Sequence, residues 1–126
     1  MKTAQDLVAE AKASVKEVSV DEAQQLLGET DLVIDVREPA EYQEAHIAGA
    51  IHIPRGMLEF KLSADTQLED RSRSVLLYCK SSGRAALAAV AMQKMGYLDV
   101  KSIAGGIDAW RAADKPVVQP KQPDFD

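Results

Sequence analysis

The sequence predicts an α/β domain: a mostly parallel five-stranded sheet flanked by helices, with an additional helix at the N-terminus. Three observations point there. Residues 31–37 and 75–78 are short, nearly unbroken apolar runs, as strands covered on both faces should be. The segments between such runs place their apolar residues at helical spacing and end at Gly28, Gly96 or Pro116. A chain of 126 residues is also long enough for one domain to bury about two-thirds of its unfolded surface.

Taken in order, residues 3–16 set Ala4, Leu7, Val8, Ala11 and Val15 on one helical face behind a Thr3/Asp6 capping signal. That face is mostly alanine and valine, and acids are mixed among its lysines. Packing on its own domain is therefore expected, ahead of docking to a partner or a membrane surface. Val18 predicts a short strand, and Ser19 with Glu22 caps a helix running through Leu27 to Gly28. After the strand at 31–37, Pro39 opens a short helix through Ala45, in the turn where its missing N–H does no harm. Residues 46–54 predict a turn and a brief strand, 55–62 a brief helix, and 63–74 a polar surface segment. A helix over 84–95, a strand over 100–103 and a Gly105-Gly106 hinge into a helix over 107–113 complete the pattern. The tail from Val117 carries Pro120 and Pro123 and is expected to be mobile or draped over the surface.

Composition excludes several classes. A net charge of −5 argues against a nucleic-acid partner, which would select a basic stripe. No apolar run approaches the roughly 20 residues needed to cross a bilayer, and the first residues lack an apolar signal region. One cysteine cannot form an internal disulfide, and two histidines without a partner cysteine argue against a zinc site. The simplest compartment is the cytoplasm, with neither metal nor cofactor required.

The chemistry concentrates after the strand at 75–78. Cys79 ends that strand, and Lys80, Ser81, Ser82, Gly83 and Arg84 lead into an alanine-rich helix. A cysteine there meets loop N–H groups, the positive end of a helix and two cations, all of which favour thiolate over thiol. A lone cysteine in an apolar strand is more often a small core residue. Its place against a Lys-Ser-Ser-Gly-Arg loop tips the balance toward a nucleophile.

The Cys-x4-Arg loop between strand and helix resembles the active-site loop of rhodanese-family sulfurtransferases. Asp35-Val36-Arg37-Glu38 with Glu41 and Tyr42 resembles the family's DVRE..E segment. His46-Ile47-Ala48-Gly49-Ala50-Ile51-His52-Ile53-Pro54 resembles its GHI.GA..IP segment, and Gly105-Gly106-Ile107-Asp108-Ala109-Trp110 its GG...W ending. Ala45 replaces the usual glycine before the histidine, and Ser82 stands where many relatives have glycine. The resemblance implies a three-layer rhodanese-like domain over 18–117, between an N-terminal helix (1–17) and a tail (118–126).

It also implies a mechanism. The Cys79 thiolate takes the outer sulfur of a donor such as thiosulfate, becoming a persulfide, and a thiol or cyanide acceptor then removes that sulfur. Backbone N–H groups of residues 80–84 would cradle the transferred sulfur, and Lys80 and Arg84 would attract an anionic donor. Asp35 and Arg37 would form a supporting layer that orients Arg84 or meets substrate, or else a structural ion pair tying loop to sheet. Arg55 would bring another cation to the rim. His46 and His52 read as a turn-stabilising hydrogen bonder and a strand residue, Tyr78 as core, and Trp110 as a packing anchor. Cys79→Ala is expected to abolish transfer and spare the fold, since a thiol at a loop mouth contributes little packing.

Two other functions compete. Phosphatases and arsenate reductases use a related loop with Cys-x5-Arg, one residue longer, around a tetrahedral oxyanion; the shorter loop suits a single sulfur. A persulfide carrier that delivers sulfur to a specific protein acceptor would keep the same residues, with the N-terminal helix as its docking face.

Overall fold

A computed structural model of the chain describes residues 1–120. Five parallel strands form one sheet in the order β1-β5-β4-β2-β3: β1 (Lys16–Val18), β2 (Leu32–Asp35), β3 (Ile51–His52), β4 (Ser74–Tyr78) and β5 (Asp99–Ile103). The register pairs Leu32 with Val75 and Asp35 with Tyr78 across β2 and β4, and Leu77 with Ser102 across β4 and β5. All four residues of β2 are buried. That explains why its sequence is an unbroken apolar run with no alternation.

Six helices cover the sheet: α1 (Ala4–Ser14), α2 (Val20–Leu26), α3 (Pro39–Glu44), α4 (Leu58–Ala64), α5 (Gly83–Lys94) and α6 (Gly106–Ala112). Side chains alternate between two apolar layers. Ile34, Val75, Leu77 and Cys79 pack with Leu58, Leu62, Ala85 and Met92 of α4 and α5. Val33, Leu76, Tyr78 and Ile103 pack with Ala23, Ile107 and Trp110 of α2 and α6. Four alanines of α5 are fully buried, which brings that helix close against the sheet.

Both N-terminal capping signals form. The Thr3 hydroxyl accepts from the Asp6 N–H at 3.1 Å and the Asp6 carboxylate accepts from the Thr3 N–H at 2.9 Å. Ser19 and Glu22 make the same reciprocal pair. Caps of this kind are worth about 1 kcal/mol each. The helix expected over 3–16 ends at Ser14, because Val15 turns to extended backbone. Lys16 and Glu17 then join β1 at the sheet edge. Both are exposed, so their pairing through the backbone left no hydrophobic signature. α1 lies on α5, and a Cβ on Gly83 would sit 3.4 Å from Val8.

The segment expected to be polar surface over 63–74 is partly internal. A 3-10 turn at Thr66–Leu68 buries Leu68, whose carbonyl accepts from the Tyr97 hydroxyl. The tail is draped as far as it is described. Val118 exchanges two backbone hydrogen bonds with His46 at 2.8 Å, and the Pro116 carbonyl accepts from the Trp110 indole. The part of the expected tail over 121–126 lies outside the described residues.

Candidate active site

β4 is the central strand, and Cys79 follows its last residue at the carboxyl end of the sheet, where ligands of open α/β sheets bind. Ser82 is the N-cap of α5, which starts at Gly83. Sγ of Cys79 consequently lies at the helix N-terminus, and the Ala85 N–H donates to it at 3.4 Å. The positive end of the helix dipole faces the sulfur, a placement that favours negative charge there. Cys79 is deeper than a loop mouth, however. It is only 1% exposed and packs among Leu77, Ala85 and Ala88. The expectation that it contributes little packing is therefore corrected: its loss leaves a small void in the core layer, at a cost of about 1 kcal/mol.

The loop is held from behind by α6. The Ile107 N–H donates to the Cys79 carbonyl at 2.9 Å, and the Asp108 N–H to the Lys80 carbonyl at 3.0 Å. Gly106 makes this approach available. It has φ +59°, and a Cβ there would stand 2.3 Å from the Ser81 oxygen, 2.4 Å from that of Cys79 and 2.7 Å from that of Lys80. Because a trans peptide points its C=O and N–H in opposite directions, the N–H groups of Lys80 and Ser81 face away from α6. Among the described residues, the N–H groups of Lys80, Ser81, Ser82, Gly83 and Arg84 have no acceptor. With Ala85, whose N–H already serves the Cys79 sulfur, they form an unbroken run of six amides, five of them free to serve an anion or a polarised sulfur.

The charged side chains around this loop are paired. Arg84 donates to both carboxylate oxygens of Glu41, from Nη1 at 2.7 Å and Nη2 at 3.1 Å. Glu41 also accepts from the Glu38 N–H at 3.1 Å, which closes the first turn of α3. The Arg84 hydrogen bonds hold the Glu41 carboxyl down at about 2, and Glu41 in turn raises the pKa of Arg84. Lys80 Nζ meets Asp108 at 2.8 Å. Lys80 and Arg84, expected to attract an anionic donor, thus each already hold a carboxylate.

Asp35 and Arg37 form a buried ion pair at 2.8 Å, reinforced by Arg37 Nε and by the Arg37 backbone N–H. Arg37 Nη2 also donates to the Ala45 carbonyl. Burial opposes the charge on Arg37, but Asp35 outweighs it and the pKa lies above its ordinary value. Arg84 is not among the partners, so the pair does not orient it directly. The two residues tie the end of β2 to the Ala45 carbonyl, as the structural alternative has it, and Arg37 also reaches the cavity beside the loop. Tyr78 caps the arrangement. Its hydroxyl accepts from the Ile47 N–H at 3.0 Å, and burial pushes its pKa up. His46 stacks on Tyr42 at 3.8 Å, and His52 Nε2 bonds the Arg37 carbonyl at 2.8 Å, both structural placements.

A cavity of about 360 Å³ opens beside the loop between α3 and α6, with Arg37, Glu41, Glu44, Lys80, Asp108 and Arg111 in its wall. Arg55 does not reach it. Its Nη1 binds Glu59 at 2.9 Å, and it lines a larger cavity of about 700 Å³ between α1 and α5. The expected third rim cation is corrected accordingly. Glu41 and Asp108 are the site residues to which sequence reasoning assigned no role. Each stands in a family-like segment, but the pairing of Glu41 with Arg84 spans 43 positions and has no local signal.

The family model for the rhodanese-like domain matches residues 19–113. The chain belongs to this family. This rhodanese-like domain is 30% identical over 109 residues to a sulfurtransferase of Allochromatium vinosum, covering 85% of this chain and 98% of that protein. It is 34% identical over 98 residues to the thiosulfate sulfurtransferase GlpE of Coxiella burnetii, covering 77% and 88% of the two chains. Among solved structures it superposes with a TM-score of 0.87 on a Rhodopseudomonas palustris protein of unknown function, described as a possible tyrosine phosphatase. Identity there is 31%, over 94% of this chain and 96% of that one. The expected fold class is borne out. No described helix is long and apolar enough to cross a membrane.

Proposed function

We propose that this rhodanese-like domain transfers sulfane sulfur through a persulfide on Cys79. The supporting observation is the sulfur's seat at the N-terminus of α5, beside amides whose carbonyl partners are turned back onto α6. The first step is Cys79–S⁻ + S–SO₃²⁻ → Cys79–S–S⁻ + SO₃²⁻. The sulfur–sulfonate bond breaks, its electron pair leaves on sulfite, and a cysteine S–S bond forms. In the second, cyanide or a thiolate attacks the outer sulfur and releases the Cys79 thiolate. Both steps start from a thiolate, so neither requires a general base. The free amides would carry the charge on the terminal sulfur.

A phosphatase reading takes its support from the description of the Rhodopseudomonas relative. The six-residue span from Cys79 to Arg84 is one short of the Cys-x5-Arg loop that surrounds a tetrahedral oxyanion, and Arg84 is turned onto Glu41. Sulfur transfer fits this smaller cradle better. The acceptor can be a small thiol or a protein, and relative discharge rates distinguish the two.

The test is intact-protein mass spectrometry after thiosulfate or an organic persulfide, then cyanide. The expected result is a gain of one sulfur atom that cyanide removes and that Cys79→Ala abolishes, while the variant still unfolds cooperatively. Absence of the adduct with both donors, on protein whose Cys79 alkylates, would sink the proposal.

A further inference from the structure

Among the described residues, every cation around the Cys79 loop has its own carboxylate. Arg84 is forked onto Glu41, Lys80 meets Asp108 at 2.8 Å, Arg37 meets Asp35 at 2.8 Å and Arg111 meets Glu44 at 3.1 Å. Glu38 adds a further carboxylate at the start of α3. A thiolate attacking thiosulfate brings one negative charge onto two, so that reaction gains most from an uncompensated cation at the mouth. Here the loop amides supply partial positive charge, and each side-chain cation at the mouth is shared with a carboxylate. The Glu41 contact matters most, because it takes both terminal nitrogens of the one arginine in the loop.

We infer that Glu41 sets the donor class of this site: by neutralising Arg84 it disfavours dianionic donors such as thiosulfate and favours organic persulfides, which react as the neutral R–S–SH form. This rests on the Cys79 persulfide reading. The favoured step is Cys79–S⁻ + R–S–SH → Cys79–S–SH + R–S⁻. The R–S to outer-sulfur bond breaks, its electron pair leaves on the thiolate R–S⁻, the proton stays on the transferred sulfur, and no external oxidant or reductant is needed. Glu41 is a positioning residue that acts through Arg84. It touches no reacting atom.

The experiment uses the reduced full chain, whose one cysteine makes alkylation specific. Rates with neutral iodoacetamide and anionic iodoacetate are measured for the native protein, for Glu41→Gln and for Glu41→Gln/Arg84→Ala. Glutamine keeps the shape and one acceptor but removes the charge. The iodoacetate-to-iodoacetamide ratio is expected to rise about tenfold in Glu41→Gln, equivalent to about 1.4 kcal/mol, and to fall back in the double variant. The kcat/KM ratio of thiosulfate to an alkyl persulfide should follow the same course. A loop merely loosened by the substitution would speed both reagents together and leave the ratio flat. A ratio in Glu41→Gln within about twofold of the native one would overturn the inference. A native protein that forms no persulfide from either donor would overturn the persulfide reading and with it the donor class. The alkylation ratio would still decide whether Glu41 controls charge at the thiol.

Discussion

The two sides of the Cys79 loop are held by different physics. Behind it, α6 donates two backbone hydrogen bonds to the carbonyls of Cys79 and Lys80 across Gly106, with no side chain between. In front, Arg84 and Lys80 are tied to Glu41 and Asp108 by side-chain ion pairs that are partly or largely exposed. The backbone contact is rigid and insensitive to pH and salt, and it dictates where the loop amides point. The ion pairs are screened and titratable, and they set the electrostatic character of the mouth. Geometry and charge preference are thereby separable, and substitutions on either side should separate them.

The largest effect is expected behind the loop. In Gly106→Ala the new Cβ meets three carbonyl oxygens at 2.3–2.7 Å in a left-handed backbone, and all three belong to the loop backbone. Unfolding in urea should show a loss of about 3 kcal/mol or more, and persulfide formation should fail. A variant within about 1 kcal/mol of native that still takes up sulfur would show that α6 does not hold the loop. Next comes Arg37→Ala, which leaves the buried Asp35 carboxylate uncompensated and should cost about 3–5 kcal/mol. A much smaller loss there would place the strength of the neighbouring strand elsewhere than in this pair.

The smallest effect belongs to the front. Glu41 has its pKa lowered from 4.5 to about 2, so its contribution is present above the unfolded value and fades as pH falls from 4.5 through about 2. For a partly exposed pair this amounts to about 1 kcal/mol or less. Acid-unfolding curves of Glu41→Gln should lose that part of the slope between pH 4.5 and 2 and match native protein at neutral pH to within the same amount. A Glu41→Gln curve parallel to the native one through that window would show that the pair contributes nothing to stability.

Much of this was readable from local pattern. β2 and β4 announce themselves as apolar runs because both faces of a central parallel strand are covered. Thr3 with Asp6 and Ser19 with Glu22 mark helix starts because a cap is completed within three residues. The strand–Cys79–helix order and the Gly105-Gly106 pair could be placed for the same reason: each requires a particular residue at a particular backbone position. Of β1 only Val18 was legible, because Lys16 and Glu17 pair through backbone alone at an exposed edge. Leu68 escaped because one apolar residue among charges carries no period.

What the sequence by itself determined is the order of strands and helices and the place of the one cysteine between a central strand and a helix start. These follow from periodicity, capping and the scarcity of cysteine in a chain that has one. Tertiary structure alone decided that Cys79 is buried, that Arg55 faces a different cavity, that Asp35 and Arg37 serve each other, and that Glu41 takes Arg84. Charge pairing depends on which side chains the fold brings within about 4 Å of each other. Glu41 and Arg84 lie 43 positions apart, on different helices that meet only once the sheet has formed.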